Sequence, residues 1–379
     1  MHKYLLLTET KMMHFLKAGA LMDIRIYVAA FLVSFLTVII ATPLLIRASH
    51  KAGLVDRPNE RKVHTTAIPR TGGIAIVCGV ILGLIMFPVS FPNFKGVAIG
   101  SAVIILVGII DDIYTLPPLY KLAGQIVAAI IPIAYGVTIS KFMLPFYGEV
   151  NFDVMRYVIT FVWIIIVTNS INLIDGLDGL AVGISTIALA IMLLFAFAQQ
   201  QYMLVGYIVL LIGSNVGFLV YNFHPAKIFM GDVGSLFLGY TISLLSILGF
   251  FKGVALTSLL IPVIMLAIPL SDTFFAVVRR VGDKKGIMKP DKSHLHHCLM
   301  RIGYSHRRTV LILYGAAILF GTVALFFPYY NYRVAIVLFL ILLFFIELFA
   351  EIIGLTGRKT NPVLRLLRKI GLLLPDKRT

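Results

Sequence analysis

Two adjacent carboxylates, Asp111 and Asp112, close an apolar run in I-L-V-G-I-I-D-D-I-Y. Aspartate and glutamate supply only 17 of 379 residues, so a pair against a greasy segment does not serve solubility. A carboxylate in hydrocarbon costs on the order of 3 kcal/mol by insertion scales, and a like charge beside it adds to that unless a cation is shared. The pair therefore asks for a metal, a partner base or a water-filled membrane boundary. Asp175 and Asp178 fall in N-L-I-D-G-L-D-G (172–179), about one helical turn apart, so both can face one cavity. Asp232 sits in M-G-D-V-G-S, where two glycines permit close backbone approach and the helix that follows can offer amide hydrogens to an anion. Helix capping is the plainer alternative for these three, but it leaves the adjacent pair unexplained. Oxygen donors of this kind suit Mg²⁺, which takes one or two carboxylates plus phosphate oxygens. The aspartate motifs lack the imidazole or thiolate ligands of a zinc set.

H-L-H-H places His294, His296 and His297 beside Asp291 and Lys292. Imidazoles can donate to phosphate, act as bases or bind metal, and the surrounding arginines, which grip phosphate oxygens in pairs, favour phosphate recognition. Asp272 reads either as support for this site or as a partner of Arg279 or Arg280. His224, constrained by Pro225, reads as structural, and Glu347 and Glu351 carry no motif.

The elements that must position these groups are membrane helices. Hydrophobic residues make up 59% of the chain and charged ones 13%, against roughly 25% charged in soluble domains, and mean hydropathy is +0.97. Many apolar runs reach the roughly 20 residues that cross a bilayer, and weak strand-like alternation argues against a barrel. The formal charge of +16 suggests nucleic acid, but Lys and Arg cluster in short loops as in membrane proteins, so no nucleic-acid partner is expected. Cys78 and Cys298 show no metal-ligand or redox spacing.

Eleven spans are predicted, near 24–45, 72–88, 97–110, 119–137, 155–171, 180–198, 202–220, 236–250, 254–278, 309–327 and 334–353. The first is expected to end at Thr42-Pro43, the fourth to break at Pro132, and the ninth to kink at Pro262 and Pro269. Residues 138–154 read as a small surface hairpin. With the amino terminus outside and the carboxyl terminus in the cytoplasm, 24 of the 33 Lys and Arg lie inside and 9 outside, as the positive-inside rule requires. Residues 1–21 read as an extension without a signal-peptide pattern, 22–354 as one transmembrane catalytic domain, and 355–379 as a basic cytoplasmic tail. Within that tail, 364–374 is a candidate surface helix on anionic membrane lipids.

On this topology every polar cluster, at 47–71, 111–112, 172–178, 222–235 and 279–308, falls on the cytoplasmic face. A transporter would place polar groups at the midplane with routes to both sides; the midspans here are nearly free of charge. The chemistry is therefore expected at the inner surface.

D-D-I-Y, N-L-I-D-G-L-D-G-L-A, Y-N-F-H-P-A-K-I-F-M-G-D-V-G-S-L-F-L-G and D-K-S-H-L-H-H, with the earlier R-K-V-H-T-T-A-I-P-R-T-G-G, resemble the polyprenyl-phosphate N-acetylhexosamine-1-phosphate transferases, glycosyltransferase family 4. The likeness spans residues 24–354 and is greatest to the bacterial branch that starts teichoic acid linkage units, enterobacterial common antigen or O-antigen. It implies a multi-pass enzyme of the bacterial cytoplasmic membrane. The implied reaction is Mg²⁺-dependent transfer of GlcNAc-1-phosphate from UDP-GlcNAc to undecaprenyl phosphate with release of UMP, Mn²⁺ being an alternative ion and a homodimer admissible. Another UDP-HexNAc donor, such as GalNAc or a diacetylated bacillosamine, is the competing reading. By the same resemblance Asp111 and Asp112 handle metal and lipid phosphate, Asp232 binds metal, Asp175 and Asp178 serve the nucleotide side, and His294, His296 and His297 form the histidine motif, with His296 in a catalytic role. Lys62, Arg70, Lys121, Asn172, Asn222 and Arg301 are the further side chains expected to contact substrate. The lipid groove is expected beside spans four, five and nine, where Gly124, Ala128 and Ala129 permit either a groove or close packing.

Overall fold

The computed structural model describes residues 23–56, 67–139, 141–144, 148–151, 153–250, 257–282, 293–329, 332–355 and 362–369. Nearly all of them are helical. In chain order the helices are α1 (Ile24–Ala52), α2 (Gly72–Met86), α3 (Phe94–Tyr114), α4 (Pro118–Ala134), α5 (Met155–Ile174), α6 (Leu180–Ala198), α7 (Tyr202–Asn222), α8 (Gly231–Phe250), α9 (Thr257–Met265), α10 (Ala267–Gly282), α11 (Leu295–Ile302), α12 (His306–Phe326), α13 (Tyr332–Ile352) and α14 (Pro362–Lys369). Among the described residues eight helices, α1, α3, α5, α6, α7, α8, α12 and α13, are long and apolar enough to cross a membrane, and α2 and α4 are shorter apolar ones. This is a multi-pass helical membrane protein. Residues 1–21 and 370–379 lie outside the described residues.

Helix α8 is the hub. In its most apolar stretch 89% of residues are buried, and α2, α3, α5 and α6 all pack on it. Its amino-terminal end, which carries Asp232, is thus fixed from several sides. Gly108 makes the approach of α3 possible, since a Cβ there would lie 2.5 Å from the Val233 Cα.

Two expectations change for the same reason. Helix α1 does not stop at Thr42-Pro43 but runs through Pro43 to Ala52, and α4 carries Pro132 inside it without a break until Ala134. A proline leaves the carbonyl four residues earlier without its helical donor, and in an apolar surrounding that acceptor needs another. The Tyr221 hydroxyl donates to the Ile39 carbonyl at 3.0 Å, and the Tyr240 hydroxyl donates to the Ala128 carbonyl at 2.7 Å. Each tyrosine restores the hydrogen bond that its proline removed. Tyr240→Phe is accordingly expected to destabilise the bundle by about 1 kcal/mol, read as a lower melting temperature in detergent; an unchanged melting curve would show that the Ala128 carbonyl needs no donor.

The ninth predicted span divides outright. Helices α9 and α10 meet at Leu266, between Pro262 and Pro269, with Leu266 N–H donating to the Pro262 carbonyl and Leu270 N–H to the Leu266 carbonyl, both at 3.0 Å. The expected hairpin is present as β3 (Lys141–Leu144) paired antiparallel with β4 (Gly148–Asn151). The small residues of α4 serve close packing rather than a groove: Ala128 and Ala129 are fully buried, and Gly124 lies against Val107.

A shorter pair, β1 (Val55–Asp56) and β2 (Ile68–Pro69), leads into α2. The first amides of a helix lack helical acceptors, and here Gly72 N–H donates to the Phe229 carbonyl at 3.0 Å and Gly73 N–H to the Met230 carbonyl at 2.7 Å. Phe229 N–H returns a bond to the Pro69 carbonyl at 2.8 Å. The R-T-G-G and I-F-M-G-D segments, about 160 residues apart in the chain, are therefore joined backbone to backbone. At the other end of the chain Glu351 accepts from Val363 N–H at 2.9 Å and Leu364 N–H at 2.8 Å, which docks the amphipathic α14.

Candidate active site

The polar clusters meet in one cleft of about 630 Å³. Its lining draws Asp56 and Arg70 from the β1–β2 region, Asp112 from α3, Asn172 from α5, Asp175 and Asp178 from the loop between α5 and α6, Asn222 and His224 from the end of α7, Asp232 and Ser235 from α8, and His297 and His306 from α11 and α12. Lys62 lies outside the described residues.

Asp112 and Asp232 meet at the start of α8. Asp112 accepts from Asp232 N–H at 2.8 Å and from Val233 N–H at 3.1 Å, so it caps a helix of a different sequence region. Gly231, at φ +69°, makes the turn into that helix; its αL backbone favours glycine. The Asp232 carboxylate receives the Asn172 amide at 2.6 Å and also the Lys121 ammonium. Asn172 additionally donates to Ser235 at 2.7 Å. Lys121 bridges to Asp111, 2.9 Å away, whose other oxygen accepts Leu116 N–H at 2.7 Å. Asp111 is thus held off the cleft lining, in contact with Lys121, while Asp112, Asp175, Asp178 and Asp232 face the cleft itself.

Five carboxylates line the cleft, counting Asp56, and among its described lining residues Arg70 is the one arginine or lysine. Arg70 is ion-paired with Asp56. Such a concentration of negative charge calls for a cation, and the donors facing it at Asp232 and Asp175 are hard oxygens of the kind Mg²⁺ takes. Asp175, just beyond the end of α5, feels that concentration of charge: burial first, and then the charges of Asp232, Asp112 and Asp178, push its carboxyl up to about 8. The folded protein then holds a proton that the unfolded chain has lost above its ordinary value of 3.8. Between roughly pH 4 and pH 8 the folded state binds more protons than the unfolded, so stability falls as pH rises through that window. Metal-free protein is expected to melt at progressively lower temperature across it, and Asp175→Asn to flatten the slope. A slope unchanged in the variant would show that the charge is tolerated.

The histidine motif divides its labour. His294 Nδ1 is hydrogen-bonded to the Asp272 carboxylate at 3.0 Å, and Asp272 also accepts Leu295 N–H at 2.8 Å, which fixes the start of α11. His296 is buried and packs over Gly176; burial, and then His297, lower its pKa to about 3, so it is neutral at physiological pH. His297 alone of the three reaches the cleft lining. Asn222 lines the cleft, but its amide is engaged with backbone, accepting Gly179 N–H at 3.1 Å and donating to the Ile228 carbonyl at 2.9 Å. Arg301 is exposed, away from the cleft lining, with its guanidinium 2.9 Å from Cys298 Sγ.

The family model for glycosyl transferase family 4 matches residues 94–250, the stretch that contains all five motif aspartates. A probable undecaprenyl-phosphate N-acetylglucosaminyl 1-phosphate transferase of Bacillus subtilis is 43% identical over 346 residues, 90% of this chain and 96% of the relative. The chain belongs to glycosyl transferase family 4. Other members resemble it less closely: a decaprenyl-phosphate N-acetylglucosaminephosphotransferase of Mycobacterium leprae is 35% identical over 72% of this chain and 77% of the relative. A putative UDP-N-acetylglucosamine–dolichyl-phosphate N-acetylglucosaminephosphotransferase of Sulfolobus acidocaldarius is 30% identical over 78% and 94%. Two cleft residues of this family 4 chain carry more than the sequence suggested. His224 is in direct contact with Asp178 at 2.7 Å, and His306 stacks on His224 with ring centroids 4.1 Å apart. The only sequence sign of His306 is its place in a serine-capped helix start, S-H-R-R.

Proposed function

We propose that this family 4 chain transfers GlcNAc-1-phosphate from UDP-GlcNAc to undecaprenyl phosphate, at the cytoplasmic face of a bacterial cytoplasmic membrane, giving GlcNAc-diphospho-undecaprenol and UMP. The observation that carries the reading is the meeting of Asp232, Asp112, Lys121 and Asn172 at the start of α8, in a chain 43% identical to the Bacillus subtilis relative. Read as eleven crossings, with α9 and α10 together counted as one, the chain has its site and its basic carboxyl terminus at the same end of the bundle, and the positive-inside bias supports the cytoplasmic side for both.

Phosphoryl transfer depends mainly on positioning and on relief of charge. An oxygen of the lipid phosphate attacks the β-phosphorus of UDP-GlcNAc, and the bond from that phosphorus to the bridging oxygen breaks as UMP leaves. Asp232, with Asp175 beside it, would hold Mg²⁺, which when bound supplies positive charge to the pyrophosphate. Asp112 keeps the start of α8, and hence Asp232, in place. Lys121, oriented by Asp111, offers its ammonium to the phosphates. Asp178 and His297 flank the nucleotide, and His296 supports the Gly176 turn that presents Asp175.

The purified protein, given undecaprenyl phosphate and a panel of UDP-sugars, is expected to release UMP with UDP-GlcNAc and to stop when EDTA removes divalent ions. Preference for another UDP-HexNAc would reassign the donor. Turnover undiminished in EDTA would remove the metal from the account.

A further inference from the structure

Asp178, His224 and His306 come from three separate elements and converge on one point of the cleft wall. His224 Nδ1 lies 2.7 Å and His306 Nε2 3.9 Å from the same Asp178 oxygen. One donor atom from each of the three lies within 4.8 Å of the others. The two imidazoles stack 4.1 Å apart at an interplanar angle of 19°, so one ring must rotate out of the stack for the in-plane lone pairs of both to meet at one ion. The frame around them is braced: Ala226 N–H donates to Asp178 at 3.1 Å, and the Arg307 guanidinium donates to the His224 carbonyl at 2.9 Å. Yet both ring nitrogens of His306 are shielded from solvent, with a loose approach to the Asp178 backbone in place of a well-formed hydrogen bond. Buried polar atoms are ordinarily satisfied, and an imidazole held this way, beside a carboxylate and a second imidazole, has the surroundings of a metal ligand.

We propose that Asp178, His224 and His306 form a binding site for a late first-row divalent ion of the Zn²⁺ class, distinct from the oxygen-donor position at Asp232. Imidazole nitrogen suits such ions, whereas Mg²⁺ takes oxygen. Three protein ligands with an open position is the arrangement of zinc sites that keep access to a cavity, and all three residues line the cleft. Tetrahedral bonds of normal length place ligand atoms roughly 3.3 Å apart, so the 2.7 Å contact widens and the 3.9 Å contact shortens, each by less than about 1 Å. On binding, the hydrogen bond between His224 Nδ1 and Asp178 is replaced by coordination. The proton by which His224 Nδ1 donates to Asp178 passes through solvent to Nε2 as Nδ1 coordinates, and His306 coordinating through Nε2 keeps its proton on Nδ1, so two neutral imidazoles release no net proton. The proposal rests on these three side chains and not on the transferase reading.

The test uses full-length protein in detergent, stripped with a chelator and kept in excess Mg²⁺. Zn²⁺ is titrated against a chromogenic chelator, and Co²⁺ is followed by its visible absorption. The expected result is one tight equivalent of Zn²⁺ that Mg²⁺ does not displace, and a Co²⁺ spectrum of tetrahedral intensity. His224→Ala and His306→Ala should each weaken Zn²⁺ binding about a hundredfold, while Asp232→Asn and His297→Ala retain it. Wild-type protein that holds no stoichiometric Zn²⁺ overturns the proposal regardless of how any variant folds. Equal binding by wild type and both histidine variants, or loss of Zn²⁺ in Asp232→Asn with its melting curve intact, overturns it as well.

Discussion

Asp232→Asn is expected to lower UMP release from UDP-GlcNAc by at least about a hundredfold, with the protein still folded. The substitution keeps size and shape, and an amide oxygen can still accept from Asn172 and Lys121, which the Asp232 carboxylate engages in the structure. What it removes is a full negative charge among four carboxylates that face the cleft. A hard divalent ion bound there loses its most central ligand, so raising Mg²⁺ should recover part of the rate. The expected pattern is a fall in turnover with a higher Mg²⁺ requirement. A wild-type rate at low Mg²⁺ would remove Asp232 from the metal assignment.

Lys121→Met is the second substitution with a large expected effect. The ammonium is 2.9 Å from Asp111 and also holds Asp232, so it joins the carboxylate off the cleft lining to the one facing the cleft. Methionine keeps most of the stem but leaves the two carboxylates without their shared cation. A turnover loss of about a hundredfold or more is expected, together with tighter apparent binding of the divalent ion, because negative charge is left uncompensated. Lys121→Arg should keep the charge while changing its geometry, and is expected to restore the ion requirement more than the rate. Loss of rate with no change in the ion requirement in Lys121→Met would confine Lys121 to substrate contact.

Much of this arrangement is legible in the chain, because membrane helices announce themselves by composition and the aspartate motifs stand out against it. The pairing of 141–144 with 148–151 and the division at Pro262 and Pro269 follow from local chemistry. Other features depend on partners far away in sequence. Whether Pro43 ends a helix is decided by Tyr221, and Pro132 by Tyr240, more than a hundred residues later. In H-L-H-H the helix begins at Leu295, so successive residues turn by about 100°; His296 is directed into protein and His297 into the cleft. Asp111 and Asp112 are neighbours on one helix and for the same reason face differently, one to Lys121 and the other to the start of α8. The pairing of His224 with Asp178 and His306 has no sequence signature, since it is made by the loop after α7 meeting the first turn of α12.

Carboxylates from separate segments of the chain are expected to hold one divalent ion against the pyrophosphate of UDP-GlcNAc. Paramagnetic broadening of the phosphorus resonances of UDP-GlcNAc by Mn²⁺, with wild-type protein and with Asp232→Asn, tests it directly. Strong broadening of both phosphorus signals with the wild type, lost in the variant, is the predicted result. Broadening of equal strength in the two proteins would contradict the account.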